Sequence, residues 1–136
     1  MRKIHTIVFH CSASDNIAHD DVAIMRKWHK AKGWSDVGYH YFIKRDGTIQ
    51  DGRPIEKIGS HVKGFNTGTV AVCFHGLNTF TKEQMKAGRK VIELIETKLG
   101  QKLKLRGHND YTSLKTCPNF DIRRFLQGEL KIIKRY

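Results

Sequence analysis

Short runs of β-branched and aromatic residues alternate along this chain with amphipathic stretches at helical spacing, and that alternation constrains the fold more than any other feature. Ile4, Ile7, Val8 and Phe9 form an apolar run that stops at His10-Cys11-Ser12-Ala13-Ser14-Asp15, which reads as a buried strand opening into a loop, with His10 at the strand end. Asp20 or Asp21 can cap a helix whose apolar positions Val22, Met25 and Trp28 recur every three residues, and Gly33 is placed to end it. Tyr39-His40-Tyr41-Phe42-Ile43-Lys44 alternates, and Asp46-Gly47 before Thr48-Ile49 signals a tight hairpin. After a glycine-marked loop, Thr69-Val70-Ala71-Val72-Cys73-Phe74 reads as an interior strand.

Thr81-Lys82-Glu83-Gln84 has the form of a capping box. Met85, Val91, Ile92, Ile95 and Leu99 then make a helical stripe that runs to Gly100. Residues 103–105 can add a short strand, and residues 121–126 begin a last helix after Pro118. The alternation predicts an α/β fold, a central mixed β-sheet of at least four strands covered by helices. At 136 residues, with no linker or repeat, a single domain over 1–136 is expected.

Composition enters where it limits function. Twenty-five Lys and Arg against thirteen Asp and Glu leave a formal charge of +12, which attracts polyanions at long range, and nucleic acid, membrane surface and anionic cell wall all qualify. No helix concentrates basic residues with base-reading side chains, so direct nucleic-acid binding is not expected. The apolar stretch at the start is interrupted by His5 and ends at His10, short of a secretory core, and no segment approaches the roughly 20 apolar residues of a membrane span. A protein made in the cytoplasm, acting as a monomer, is expected. Three cysteines without tight spacing suggest reduced thiols. Cys11 and Cys73 read as small buried hydrophobes, whereas Cys117 sits in the polar string Lys115-Thr116-Cys117-Pro118-Asn119.

Three potential zinc ligands stand in loops or at strand ends: His10, His108 in Arg106-Gly107-His108-Asn109-Asp110, and Cys117. Imidazole nitrogen and thiolate sulfur suit zinc, and three protein ligands leave a fourth position for water. Eight histidines in the chain make chance triples easy to assemble, so spacing alone does not decide the matter. No His-Glu-x-x-His string is present to supply a glutamate base.

Longer strings do decide it. Val8-Phe9-His10-Cys11-Ser12-Ala13, Gly33-Trp34-Ser35-Asp36-Val37-Gly38-Tyr39-His40-Tyr41 and Lys44-Arg45-Asp46-Gly47-Thr48 resemble the type-two N-acetylmuramoyl-L-alanine amidase family, which includes the peptidoglycan recognition proteins. Gly59-Ser60-His61-Val62-Lys63-Gly64-Phe65-Asn66 and Lys115-Thr116-Cys117-Pro118-Asn119-Phe120-Asp121 resemble its phage branch, the amidase-type lysozymes (endolysins) of short-tailed coliphages.

The resemblance implies one zinc ion held by His10, His108 and Cys117, with Tyr39 and Lys115 as catalytic residues. It implies hydrolysis of the amide between N-acetylmuramic acid and L-alanine in peptidoglycan, leading to lysis after release from the host cytoplasm through a separate permeabilising protein. It also implies a substrate contact for His61, which read alone is equally a loop histidine satisfied by backbone hydrogen bonds. His29 and His40 are expected to be structural, and His5, His19 and His75 to lie outside the site. A recognition module that binds peptidoglycan without cutting it is the competing reading, and retention of Cys117, Tyr39 and Lys115 together favours catalysis. The phage branch further implies a phage RNA polymerase as a second partner, although only nine residues precede His10, where a longer arm is expected.

Overall fold

The computed structural model describes residues 2–122 and Phe125. Five strands form one sheet: β1 (Thr6–Cys11), β2 (Tyr41–Ile43), β3 (Ile49–Asp51), β4 (Thr69–Phe74) and β5 (Lys104–Gly107), in the spatial order β3-β2-β4-β1-β5. β1 pairs in parallel with both β4 and β5, β2 pairs in parallel with β4, and only the β2–β3 hairpin is antiparallel. The sheet is therefore mixed, as expected. The last helix expected from residue 121 falls mainly on residues outside those described.

The two central strands explain why their sequences run apolar without interruption. Every residue of β1 and β4 is buried, because a helix covers each face of the sheet. On one face α2 (Lys82–Leu99) lays Met85, Val91, Ile92 and Ile95 over Ile7, Phe9, Val70, Val72 and Phe74. Gly88 lets it approach, since a Cβ there would lie 2.7 Å from the Phe74 ring and 2.9 Å from that of Phe125. On the opposite face α1 (Val22–Ala31) packs Val22 and Met25 against Val37, Phe42 and Cys73. Here the expected stripe is off by one position: His29 is buried and Trp28 is exposed, stacking edge-on against His19 with ring centroids 4.7 Å apart.

Local chemistry starts and stops these helices where the sequence signals them. The Asp21 carboxylate accepts from the Ala23 amide, and α2 begins on the reciprocal Thr81–Gln84 box and ends at Gly100 in the left-handed region. Gln84 does more than cap. It is fully buried, and its side-chain amide donates to the carbonyls of His75 (2.8 Å) and Ile43 (3.3 Å) while its oxygen accepts from the Thr81 amide (2.9 Å). One side chain thus ties the start of α2 to the ends of β2 and β4.

Replacing Gln84 by Leu removes that donor from two buried carbonyls and should cost about 2 kcal/mol, whereas Thr81→Ala, which loses the cap and the hydroxyl's bond to the part-buried Arg45 carbonyl, should cost about 1 kcal/mol. Urea unfolding midpoints of the two variants check the ranking, and equal or reversed losses would contradict the tie described here.

Candidate metal centre and its cleft

Parallel pairing sends the C-terminal ends of β1, β4 and β5 to the same edge of the sheet, where open α/β sheets bind ligands. His10, the next-to-last residue of β1, stands beside Cys73 of β4 in register, and Phe9 stands beside Gly107, the last residue of β5. His108 follows at once, in a single 3-10 turn from His108 to Asp110 whose approach is fixed by the Asp110 carboxylate accepting from the Gly107 amide (2.8 Å). A Cβ on Gly107 would come within 2.4 Å of the Asn109 side chain and 2.9 Å of Pro118, so only glycine fits between the two loops.

The loop bearing Cys117 is held from both sides. The Asn109 amide donates to the Cys117 carbonyl (2.9 Å), the Cys11 amide donates to the Cys117 sulfur (2.8 Å), and the Asn119 side chain donates to the Leu77 carbonyl (2.9 Å). As a result, the ligand atoms of His10, His108 and Cys117 lie within 4.8 Å of one another, the one group of three such residues among those described that could hold a metal ion. Two imidazoles and a thiol are a donor set suited to zinc.

Electrostatics keep these groups neutral until a cation arrives. Burial holds the His10 imidazole well below its ordinary value, with His61 and His108 adding to the effect, and burial lowers His108 too, with Lys115 contributing. The hydrogen-bonded Cys11 thiol, reinforced by burial, pushes the Cys117 thiol well up. A divalent ion would reverse that balance, since coordination deprotonates a thiol outright.

Tyr39 lies just before β2, its ring 5.2 Å from that of His10 and 5.3 Å from that of His29. Burial, followed by the thiols of Cys73, Cys117 and Cys11, raises its hydroxyl well above the usual value, so Tyr39 remains a hydrogen-bond donor. The nearness of the Cys73 thiol is a feature that sequence reasoning missed, because a cysteine inside an apolar strand carries no signal beyond burial. Lys115 is exposed on the rim of a cleft of about 590 Å³ that also takes in His10, Tyr39, His61, His108 and Cys117. Lys32 and Trp28 line it as well, and among the described residues no carboxylate does.

His61 is the residue whose surroundings differ most from the expectation. Both its ring nitrogens are engaged inside the protein, Nδ1 with His10 Nε2 at 2.9 Å and Nε2 with the Thr69 hydroxyl at 3.0 Å. His29 and His40 both have internal partners: His29, which also lines the cleft, accepts at Nδ1 from the Gly38 amide (2.8 Å), and His40 bridges the Ala71 amide and the Lys57 carbonyl. His5, His19 and His75 lie away from the cleft, each bonded elsewhere.

The N-acetylmuramoyl-L-alanine amidase family matches residues 1–120 of the chain. The endolysin of Klebsiella phage KP32 is 41% identical over 127 residues, covering 88% of this chain and 83% of that protein. The endolysin of Escherichia phage T7 is 39% identical with the same coverage. Among solved structures, the N-acetylmuramoyl-L-alanine amidase LysC from Clostridium intestinale superposes with a TM-score of 0.81 at 29% identity, covering 91% of this chain and 83% of that one.

The buried histidines make stability depend on pH. His29 and His40, lowered mainly by burial, titrate at about 4 in the folded chain and at about 6.5 when unfolded. Below the unfolded value the unfolded chain binds protons that the folded chain refuses, so stability present at neutral pH is lost as pH falls through about 6.5 toward about 4. Carboxylates contribute only at the lower end of that range. The urea midpoint of metal-free protein should therefore be higher at about pH 7.5 than at about pH 5; a midpoint unchanged across that interval would contradict neutral burial.

Proposed function

Because the chain belongs to the N-acetylmuramoyl-L-alanine amidase family, we propose that it is a zinc-dependent phage endolysin that hydrolyses the amide joining N-acetylmuramic acid to L-alanine in peptidoglycan. The observation that carries this reading is the convergence of His10, His108 and Cys117 from three separate segments onto one end of a cleft. A recognition module has no need of three soft and borderline donors aimed at one point, and a structural zinc site would supply a fourth protein ligand.

In this reading His10, His108 and Cys117 hold the ion. Zinc, when bound, supplies Lewis-acid polarisation of the scissile carbonyl and a nucleophile at neutral pH. The rest falls to the side chains of the chain itself. Attack on the amide carbonyl places negative charge on its oxygen, and a group that stabilises that charge must be a donor already in position. The buried Tyr39 hydroxyl, kept protonated by its surroundings, is such a donor. Lys115 brings a mobile ammonium to the same rim and balances the new charge, and its nearness helps keep the His108 imidazole neutral and able to bind metal. Loss of the stem peptide then needs a proton on the departing nitrogen, which Tyr39 can pass on.

The cleft suits the stem peptide. Lys32 and Lys115 with Trp28 line one part, Lys63 and Trp34 an adjoining part, and the absence of a lining carboxylate among the described residues favours a substrate rich in carboxylates. No described helix is long and apolar enough to cross a membrane. We take the protein to stay in the host cytoplasm until a separate permeabilising protein opens the way to the wall.

Digestion of purified peptidoglycan, with metal content determined in parallel, tests the proposal. Wild-type protein should release stem peptides that begin with L-alanine and carry about one zinc per chain, and Cys117→Ala should lose both. Tyr39→Phe should keep its zinc and lose about 10²- to 10³-fold in kcat. Activity that survives complete removal of zinc would sink the mechanism, and zinc-loaded but inactive wild-type protein would move the assignment to a recognition module.

A second role, binding of a phage RNA polymerase, would use an outer face and leave the cleft free. Retention of polymerase by Cys117→Ala protein at low salt would support it, and no retention would overturn it.

A further inference from the structure

His61 stands in a chain of hydrogen bonds whose direction the backbone dictates. At its far end the Thr69 hydroxyl lies 2.9 Å from the Phe65 carbonyl and 3.0 Å from that of Asn66. Carbonyl oxygens only accept, so the Thr69 proton points to them and its oxygen must accept from His61 Nε2, 3.0 Å away. Above the ordinary imidazole range the ring carries a single proton, so a proton on Nε2 leaves His61 Nδ1 as a bare acceptor. His10 Nε2, 2.9 Å from that Nδ1, must then be the donor. With its proton on Nε2, the neutral His10 ring carries its free lone pair on Nδ1.

We infer that His61 is a positioning residue: it holds His10 in the Nε2–H tautomer and turns Nδ1 into the nitrogen that binds metal. The inference rests on the zinc reading above and names the device that prepares the site for the ion. Histidine ligands commonly direct their second nitrogen to a fixed acceptor, usually a carboxylate or a backbone carbonyl, which orients the ring and selects the tautomer. Here an imidazole fills that place, and its own tautomer is set one step further away.

The surrounding structure is built to keep His61 still. The Asn66 side-chain oxygen accepts from the amides of His61 (2.9 Å) and Val62 (2.8 Å), folding residues 61–66 into a closed turn. Thr69, buried at the start of β4, pairs in register with Thr6 of β1. The strand that carries His10 is thus joined to the last member of the chain that orients it. A residue whose task was only to touch substrate would need a free ring nitrogen facing the cleft, and His61 has both committed to protein partners.

Two measurements test this, and the first needs no metal. In a long-range proton–nitrogen correlation spectrum of metal-free protein, His10 and His61 should both show the proton on Nε2 and an unprotonated Nδ1; a proton on His10 Nδ1 would overturn the inference whether or not the protein binds zinc. The second is zinc affinity by chelator competition. His61→Phe keeps the bulk and removes the acceptor, and should weaken zinc about 10- to 100-fold. His61→Asn places a carbonyl oxygen where Nδ1 was and should stay within about threefold of wild type, a rescue that a merely space-filling role would not produce. Should His61→Phe fail to fold, Thr69→Val removes the group that sets the His61 tautomer and should weaken zinc in the same direction. Wild-type affinity in His61→Phe with only KM raised would overturn the inference in favour of substrate contact. Failure of the wild-type protein to bind zinc at all would instead remove the zinc reading, and the spectrum would still decide the tautomer.

Discussion

Parallel pairing of β1 with both β4 and β5 is the constraint on which everything at the functional end depends. A parallel pair brings the same ends of its strands together, so the register that sets Phe9 beside Gly107 also delivers His108 to His10. The neighbouring register, His10 beside Cys73, sets the floor against which Tyr39 rests. A slip of one residue in β1 would turn His10 toward α2 and Phe9 toward the cleft, burying an imidazole in an apolar layer and exposing a phenyl ring. Burial of Ile7, Phe9 and Cys11 on one side of the strand therefore enforces the position of His10 on the other.

The elements legible in the sequence are those with local causes. The capping box at Thr81 and Gln84, the Asp46-Gly47 turn and the continuous apolar runs around Val8 and Val72 each state their structure within a few residues, and all form where expected. Trp28 and His29 show the limit of periodicity. A three-residue spacing cannot say which edge of a helix will turn inward, and the Gly38 amide, arriving from a distant loop, draws the His29 ring into the interior. Strand order was equally beyond reach, because it is decided by which pairs close the core and not by any single strand.

At the site the difference between residue type and residue partner is sharper. Histidine and cysteine announce metal chemistry by their identity, so His10, His108 and Cys117 could be chosen from family-like strings, and the fold gathers them. The link from His61 to His10 could not be read, since it needs the 61–66 turn closed by Asn66 and β4 aligned with β1, two long-range facts with no compositional trace. The same holds for the Tyr39 hydroxyl and Cys73, which meet only because β4 and the segment before β2 share one face. Family resemblance selects the candidate residues, and only the packing shows what each one touches.

The site also accounts for doing without a glutamate. A carboxylate base beside a cation adds a second charge that must be solvated or paired, and among the described residues no carboxylate lines this cleft. Its interior groups are instead neutral when unliganded: two imidazoles held below their ordinary values, a thiol and a phenol held above theirs. The lysines that line the cleft, Lys32 and Lys115, are exposed, so water screens their charge. A cation entering such a pocket meets oriented lone pairs and no competing ammonium. A substrate arriving with carboxylates meets the lysines first, and its amide then reaches an interior in which the bound ion would be the one full charge. On the proposed zinc reading, that ordering of charge from rim to floor would let a phenol and a lysine take the roles that a glutamate fills in zinc peptidases built on a His-Glu-x-x-His helix.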